Sequence, residues 1–474
     1  MGLSVTGYNN LQIRPYELKD LVELKMVRRF NEHATLCLTG IIPGEKKDEY
    51  IRETDAQTPI EVDLVDEAGG AKPLFKGFVT NICVRAVREI YYLHLEAVSA
   101  SKILDIQLKD RSFQDINRSY TDLIKQVIAD YPGADVIDNV SNDAKTGRLI
   151  VQYRETDWQL LIRLASHFNS GLIPATDFLQ PKFYFGAPDG EVKGELDNLH
   201  YSCKKNISDY LVAAGNYRQD LQEIDFLSYQ VETNQVFALG DAVQFNGHTL
   251  YIREVETVMQ SGILKHYYVL VPKSGLYQNN IYNNQLIGAS IPGEVIEVAK
   301  DKVRVHLEID MEQKKEEAYW FPYASAYTAE GNSGWYFMPE LGDCVRIYFP
   351  GPDEGEAVAL SSVRKNAEEG KTNKVGNPDI KYLRTKSGNE LMLAPGEILL
   401  SAKDGEIFLR MNDREGIEVV SKRGMKFIAK ENVIVETDKK LIVSAKDEIK
   451  MGCKASSLVL NGNAEVKGQK IKSN

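Results

Sequence analysis

No apolar run in the sequence approaches the roughly 18 residues that a membrane-spanning helix needs. The opening residues, Met1-Gly2-Leu3-Ser4, carry neither a basic nor an apolar segment, so no secretory signal is expected. Cysteine is scarce and scattered: Cys37, Cys83, Cys203, Cys344 and Cys453 include no Cys-x-x-Cys. An odd, dispersed set argues against a disulfide framework and fits a reducing cytoplasm. His33, His94, His167, His200, His248, His266 and His306 stand apart from one another. A metal site would therefore have to be assembled by folding, and each reads as a surface or hydrogen-bonded histidine. Gly-x-Ser-x-Gly, His-Glu-x-x-His and phosphate-loop patterns are missing, and Gly331-Asn332-Ser333-Gly334 reads as a plain loop. Asp310 and Glu312 make an acidic pair near an expected loop, where glycosidase chemistry is conceivable. With 68 acidic residues in the chain, such pairs arise by chance. No catalytic residue, cofactor site or metal site is assigned.

The formal charge of −11 opposes general binding to nucleic acid or anionic membranes. That charge is uneven. Residues 381–474 hold 18 Lys+Arg against 13 Asp+Glu, so the tail is about +5 and the body about −16. A basic tail on an acidic body fits a solvated shaft of mixed charge, or contact with an anionic surface.

A chain of 474 residues suggests about three or four domains. To about residue 99 the pattern is β, with alternation at 36–40, 60–65, 75–79 and 91–95 and a tight turn at Gly69-Gly70. Two helices interrupt it. One spans 119–130 and stops at Pro132-Gly133; the other starts at Thr156 or Asp157, runs to about Phe168, and has Gly171 as its stop. Strand signals return at 183–185, 240–245 and 250–252, the last two joined by Asn246-Gly247. Residues 292–363 then offer strands at 293–298, 303–309, 320–323, 334–337, 343–349 and 356–361, which fits a small closed barrel such as an OB-fold. In it Trp320, Trp335, Phe337 and Phe349 are expected to fill the barrel or its packing face. Pro339-Glu340-Leu341-Gly342-Asp343 reads as a turn, with Pro fixing one dihedral and Gly342 permitting an unusual one. Polar residues 365–379 read as a linker.

The tail is the most informative stretch. Apolar pairs occur at Ile417/Val419, Met425/Phe427, Val433/Val435, Leu441/Val443 and Ile449/Met451, with first members stepping by eight. One residue splits each pair, so both side chains share a strand face. Ile398/Leu400, Ile407/Leu409 and Leu458/Leu460 extend the series with slips of one residue. Gly, Asp, Lys or Asn between pairs supplies bends, as at 403–405, 423–424 and 438–439. A stripe one strand wide cannot bury itself. A monomeric solenoid with three octads per coil would have fewer than three coils, about the least a solenoid tolerates. Three copies sharing an axis have no such limit, so an intertwined homotrimer is expected.

The sequence resembles the VgrG family of contractile injection systems and the hub and spike proteins of contractile phage tails. Three segments carry the likeness. Val151-Gln152-Tyr153-Arg154-Glu155-Thr156-Asp157-Trp158, continuing to Arg163-Leu164, is similar to the family's strand-to-helix segment in the hub. The run from Gly293-Glu294-Val295, with Val303-Arg304-Val305, Gly334 through Asp343 and Val345-Arg346-Ile347-Tyr348-Phe349, is similar to its OB-fold neck. The octads are similar to its triple-stranded β-helix. The resemblance implies a mainly β protein: a hub of two barrel-like domains with a few helices (1–290), an OB-fold neck (291–364), a linker (365–396) and a β-helical spike (397–474). It implies a non-enzymatic role as a membrane-puncturing spike that adapts a sixfold tube to a threefold axis. Implied partners are two further copies, inner-tube and baseplate proteins, a conical (PAAR-like) tip protein, effectors and the target envelope, with no nucleic acid. Assembly in the cytoplasm and delivery at the target cell are implied as well. Two other readings stay open: a carbohydrate-active β-helix enzyme of tailspike type, and an oligonucleotide-binding OB protein.

Overall fold

Alternating burial along strand Thr35–Ile42, with Leu36, Leu38 and Ile42 inward, is what its alternating sequence demands. The computed structural model describes residues 7–65, 70–188, 190–196, 200–216, 221–327, 333–362, 377–403 and 405–472. It divides into two units, Met1–Lys365 and Asn366–Asn474.

In the first unit one 11-stranded sheet carries two hydrophobic cores. Strands Leu11–Arg14, Asp20–Arg29, Thr35–Ile42, Pro59–Val65, Ala71–Val87 and Ile90–Ser99 enclose Leu24, Met26, Leu38, Val62, Phe75 and Leu95. Strands Tyr201–Lys205, Leu227–Thr233, Ala242–Phe245, His248–Gln260 and Ile263–Val271 enclose Val231, Phe245, Ile252, Val255, Tyr268 and Leu270. The halves join where Asp20–Arg29 pairs antiparallel with His248–Gln260, Arg28 opposite Val255. The Asn246-Gly247 turn forms as expected, with both residues at positive φ (50° and 75°) between paired Phe245 and His248. At the Gly69-Gly70 turn, Gly69 lies outside the described residues.

Four helices are described: α1 (Lys47–Glu53), α2 (Tyr120–Ile128), α3 (Asp157–Ser166) and α4 (Ile207–Asn216). Ser119 caps α2 by accepting from Asp122 N at 3.2 Å. Thr156 and Gln159 form a reciprocal capping box on α3. The left-handed residue after α3 is Asn169 (φ 52°), not Gly171. Gly171 is needed instead for close approach, since a Cβ there would sit 2.6 Å from Asn31 Oδ1. Helices α2 and α3 pack Leu123, Val127, Leu160, Leu161 and Leu164 against Phe183 and Phe185.

The neck strands run Trp320–Pro322, Lys302–Leu307, Ser290–Ala299, Cys344–Tyr348 and Val358–Leu360 in sheet order. A parallel bridge from Tyr323 to Ala359 joins the two ends, so the sheet closes. Val295, Val303, Val305, Phe321, Val345, Ile347 and Phe349 fill it.

The second unit begins as an antiparallel meander: Lys381–Arg384, Glu390–Ala394, Glu397–Ala402, Ile407–Asn412 and Gly416–Ser421. Two of these strands fall inside the stretch read as a linker, 365–396. The polar residues there are the outward half of a strand alternation, with Leu391 and Leu393 as the other half. Residues 365–376 of that stretch lie outside the described residues. Register places Leu393 opposite Ile398, Leu400 opposite Leu409, and Met411 opposite Ile417. Residues 422–448 form no strand, so the pairs at 425/427, 433/435 and 441/443 differ here from the expected octad strands. A strand needs a hydrogen-bonded neighbour, and this single chain supplies none to them. Ile449–Cys453, Ser456–Leu460 and Ala464–Lys467 form a closing three-stranded sheet. In it Leu460 faces Ile449 and Leu458 faces Met451, which sets the register after the slip near Leu458.

Candidate functional site

The hub segment 151–158 is a polar junction that folding consumes completely. Asp157 is fully buried, yet it receives Arg111 Nη2 at 2.6 Å, Tyr131 OH at 2.6 Å, Gln152 Nε2 at 2.9 Å and Lys109 Nζ at 2.8 Å. Thr156 Oγ1 donates to Asp105 Oδ1 at 2.6 Å, and Trp158 Nε1 donates to Asn31 O at 3.0 Å. Burial, and then the hydrogen bond to Asp157, push the Tyr131 phenol above its ordinary value. A carboxylate with four donors in a dry site is a structural brace rather than a free general base.

Glu155 points the other way, into the joint between hub and neck. Arg163, only 1% exposed, donates from Nε and Nη2 to Glu155 at 3.0 and 2.9 Å. Its Nη2 also reaches Val151 O at 2.9 Å, and Nη1 reaches Glu354 of the neck at 2.5 Å. Burial alone would lower the guanidinium; Glu354 and Glu155 outweigh it and leave it raised. Burial pushes the Glu155 carboxyl up, with Arg163 pulling against it. A second link lies nearby in sequence terms on the strand Leu108–Phe113. Ser112 donates to Asp310 from N at 2.6 Å and from Oγ at 2.5 Å. Gln114 donates to Val305 O at 3.1 Å and accepts from Tyr319 N at 3.0 Å. Asp310, weighed above as half of an acidic pair, is thus occupied in fastening the neck. Burial raises its carboxyl, and the Ser112 hydrogen bonds oppose that rise.

On the neck, Gly342 adopts φ 88°, its N–H reaches Val295 O at 2.9 Å, and Asp343 Oδ2 accepts from Glu340 N at 2.9 Å. Pro339 to Asp343 is therefore a turn that feeds the strand Cys344–Tyr348 back against Ser290–Ala299. Phe349 is fully buried, and Trp320 is half-buried under the Arg304 guanidinium, 4.6 Å from its ring. Trp335 and Phe337 correct the sequence expectation. They are 60% and 51% exposed, stack edge-on against each other, and form no strand. Phe321, next to Trp320, takes the core place instead. Strand alternation puts only one of two adjacent aromatics inside. Of the loop at 331–334, Gly331 and Asn332 lie outside the described residues.

The tail pairs share one property. Ile417, Val419, Met425, Phe427, Val433, Val435, Leu441, Val443 and Met451 are all exposed, and Ile449 is half-buried. In the meander, Leu391, Leu393, Ile398, Leu400, Ile407, Met411, Ile417 and Val419 lie on the same side by register, each more than a third exposed. An apolar face this long is uncovered by its own chain.

Among the described residues no group of three or more His, Cys, Asp or Glu is placed to hold a metal ion. Five of the seven histidines hydrogen-bond through their side chains: His33 with Ser101, His94 with Thr39, His167 with Tyr120, His266 with Thr257 and His306 with Asp310 O. Burial pushes His33, His167 and His266 down to about 4. A histidine whose folded pKa is depressed stabilises the fold fully above about 6.5 and loses that contribution as pH falls towards 4. Each is worth up to about 3 kcal/mol over that window. The urea midpoint of the first unit is expected to drop steeply between pH 6.5 and 4. A flat profile there would mean the three rings are wet.

Residues 291–363 match a family described as the type VI secretion system/phage-baseplate injector OB domain. No curated protein matches the chain in sequence. Among solved structures, a chain of the half-lidded Francisella PdpA–VgrG complex matches with TM-score 0.54 and 12% identity, covering 86% of this chain and 87% of that one. An Escherichia coli protein, described as a type VI secretion component with structural similarity to bacteriophage tail proteins, matches with TM-score 0.52 and 13% identity. It covers 75% of this chain and 99% of that one. At these identities the likeness is one of fold. The chain is thus a mainly β protein that shares its fold with this type VI secretion component and with the matched chain of the PdpA–VgrG complex. Its neck matches the injector OB-domain family, and the resemblance to VgrG-family spikes read from its motifs holds in the fold.

Proposed function

We propose that this chain is the hub and spike at the tip of a contractile injection machine, acting as a homotrimer and by mechanics rather than catalysis. The observation that carries this reading is the uncovered apolar face of the second unit. Three copies would each give that face to a common axis, bury the octad pairs, and provide residues 422–448 with the strand neighbours they lack. The hub would then seat on a tube of higher symmetry, the braced joint at Arg163 would transmit thrust into the neck, and the shaft would enter a target envelope. Inner-tube and baseplate proteins, a conical tip protein and effectors are the partners this role needs. A complex of a VgrG chain with PdpA is described for the Francisella relative. Cytoplasmic assembly and release at the target cell belong to the same proposal. Light scattering on the purified full chain is expected to give the mass of a trimer at micromolar concentration. A stable monomer would overturn the reading.

A further inference from the structure

A three-chain shaft covers one side of each strand, yet two octads are apolar on both. Between Val433 and Val435 lies Ile434, and between Leu441 and Val443 lies Ile442. In an extended segment these central residues point away from their neighbours. With the octad pairs turned towards the axis, the opposite side carries isoleucine. The other octads place Glu418, Lys426 and Lys450 at the same position, as solvent would favour. Ile428, directly after Phe427, adds a third outward aliphatic. Ile428, Ile434 and Ile442 are 89%, 80% and 81% exposed, more than any octad-pair member from 417 to 451. Packing among copies through the octad pairs leaves all three uncovered.

The charges around this band say what covers it. Residues 422–446 hold seven cations (Lys422, Arg423, Lys426, Lys430, Lys439, Lys440 and Lys446) against Glu431, Glu436 and Asp438. The cations are exposed and none is held in an ion pair among the described residues, whereas Arg384, Lys403 and Arg410 of the same unit are. Branched aliphatic residues bracketed by lysine on both sides form a surface suited to the headgroup boundary of an anionic bilayer. We propose that residues 422–446 form a lipid-engaging girdle on the shaft, with isoleucines entering the acyl boundary and lysines meeting anionic phospholipid headgroups. This rests on the trimeric spike reading and adds to it: the shaft grips the bilayer surface at one band, beyond passing through it. Its charge is opposite in sign to that of the chain as a whole, which keeps the acidic body away from the same headgroups.

The test uses the full chain and two kinds of vesicle, phosphatidylcholine alone and phosphatidylcholine with phosphatidylglycerol. Co-sedimentation is expected with the anionic vesicles, weakening at high salt, and little with the neutral ones. Ile434→Ser/Ile442→Ser is expected to cut binding at least about tenfold while the mass by light scattering stays that of the unaltered chain. Lys422→Gln/Lys426→Gln/Lys430→Gln is expected to cut it by a similar factor at low salt only. Equal binding by the isoleucine variant, equal binding to both vesicles, or no vesicle binding by an intact trimer would overturn the girdle. Capture on polyglutamate without vesicle binding would assign the band to an acidic protein and overturn it too. A monomeric chain would instead sink the trimeric reading, so the two failures are distinct.

Discussion

Arg163→Leu is expected to destabilise the first unit by about 3–5 kcal/mol, the largest loss from any single substitution in the hub. The reason is what it leaves behind. Glu155 and Glu354 would keep their places in a dry joint, 6% and 5% exposed, without the guanidinium that satisfies both. The Val151 carbonyl would lose its donor as well. The cost is therefore dominated by stranded charge rather than by the lost bonds themselves. Replacing all three members, as Glu155→Leu/Arg163→Leu/Glu354→Leu, is expected to regain much of the stability, since no charge then stays buried. Equilibrium urea unfolding of the two variants separates these effects. A loss under about 1 kcal/mol for Arg163→Leu would show a wet, screened pair and a joint held by packing alone.

That joint also marks where local sequence stops being informative. Thr156 as a cap and α3 as a helix are legible because a capping box and an apolar stripe lie within ten residues. The neck strands other than the one expected at 334–337 are legible because strand alternation is just as local, and the Val151–Leu164 and Gly334–Asp343 segments carried the family resemblance. The partner of Arg163 is not, because Glu354 lies 191 positions away and looks like any acidic residue in a turn. Pairing of Asp20–Arg29 with His248–Gln260 is hidden for the same reason. Composition misleads at Trp335 and Phe337, where two large aromatics read as core. Aromatic content reports burial only on average, and the turn at Pro339–Asp343 leaves no strand to carry them inward. The meander strands inside 381–394 escape notice because half of each strand's residues face water, and that half is polar enough to pass for a linker. Helix α4 exposes Ile207, Leu211 and Val212, so its apolar residues mark no inward face.

The octads show the opposite case: a pattern fully legible in sequence whose meaning depends on copies of the chain. Val435→Asp is expected to abolish trimer formation while leaving the first unit folded. On the proposed axis, three aspartates would meet where three valines pack. Each would lose a buried aliphatic side chain, worth about 1.5–3 kcal/mol, and bring a carboxylate with no cation on the same strand face. Like charges around one axis also repel, so the penalty multiplies across the three chains. Glu436→Lys, one residue further and on the other side of the strand, is expected to leave assembly intact, because that side points away from the threefold axis. Sedimentation equilibrium of both variants, with far-ultraviolet circular dichroism as the folding control, decides the matter. A trimer that survives Val435→Asp with unchanged melting would place the interface elsewhere. The uncovered face of Ile417 to Met451 would then need a different partner, because an apolar face of that length does not persist bare in water.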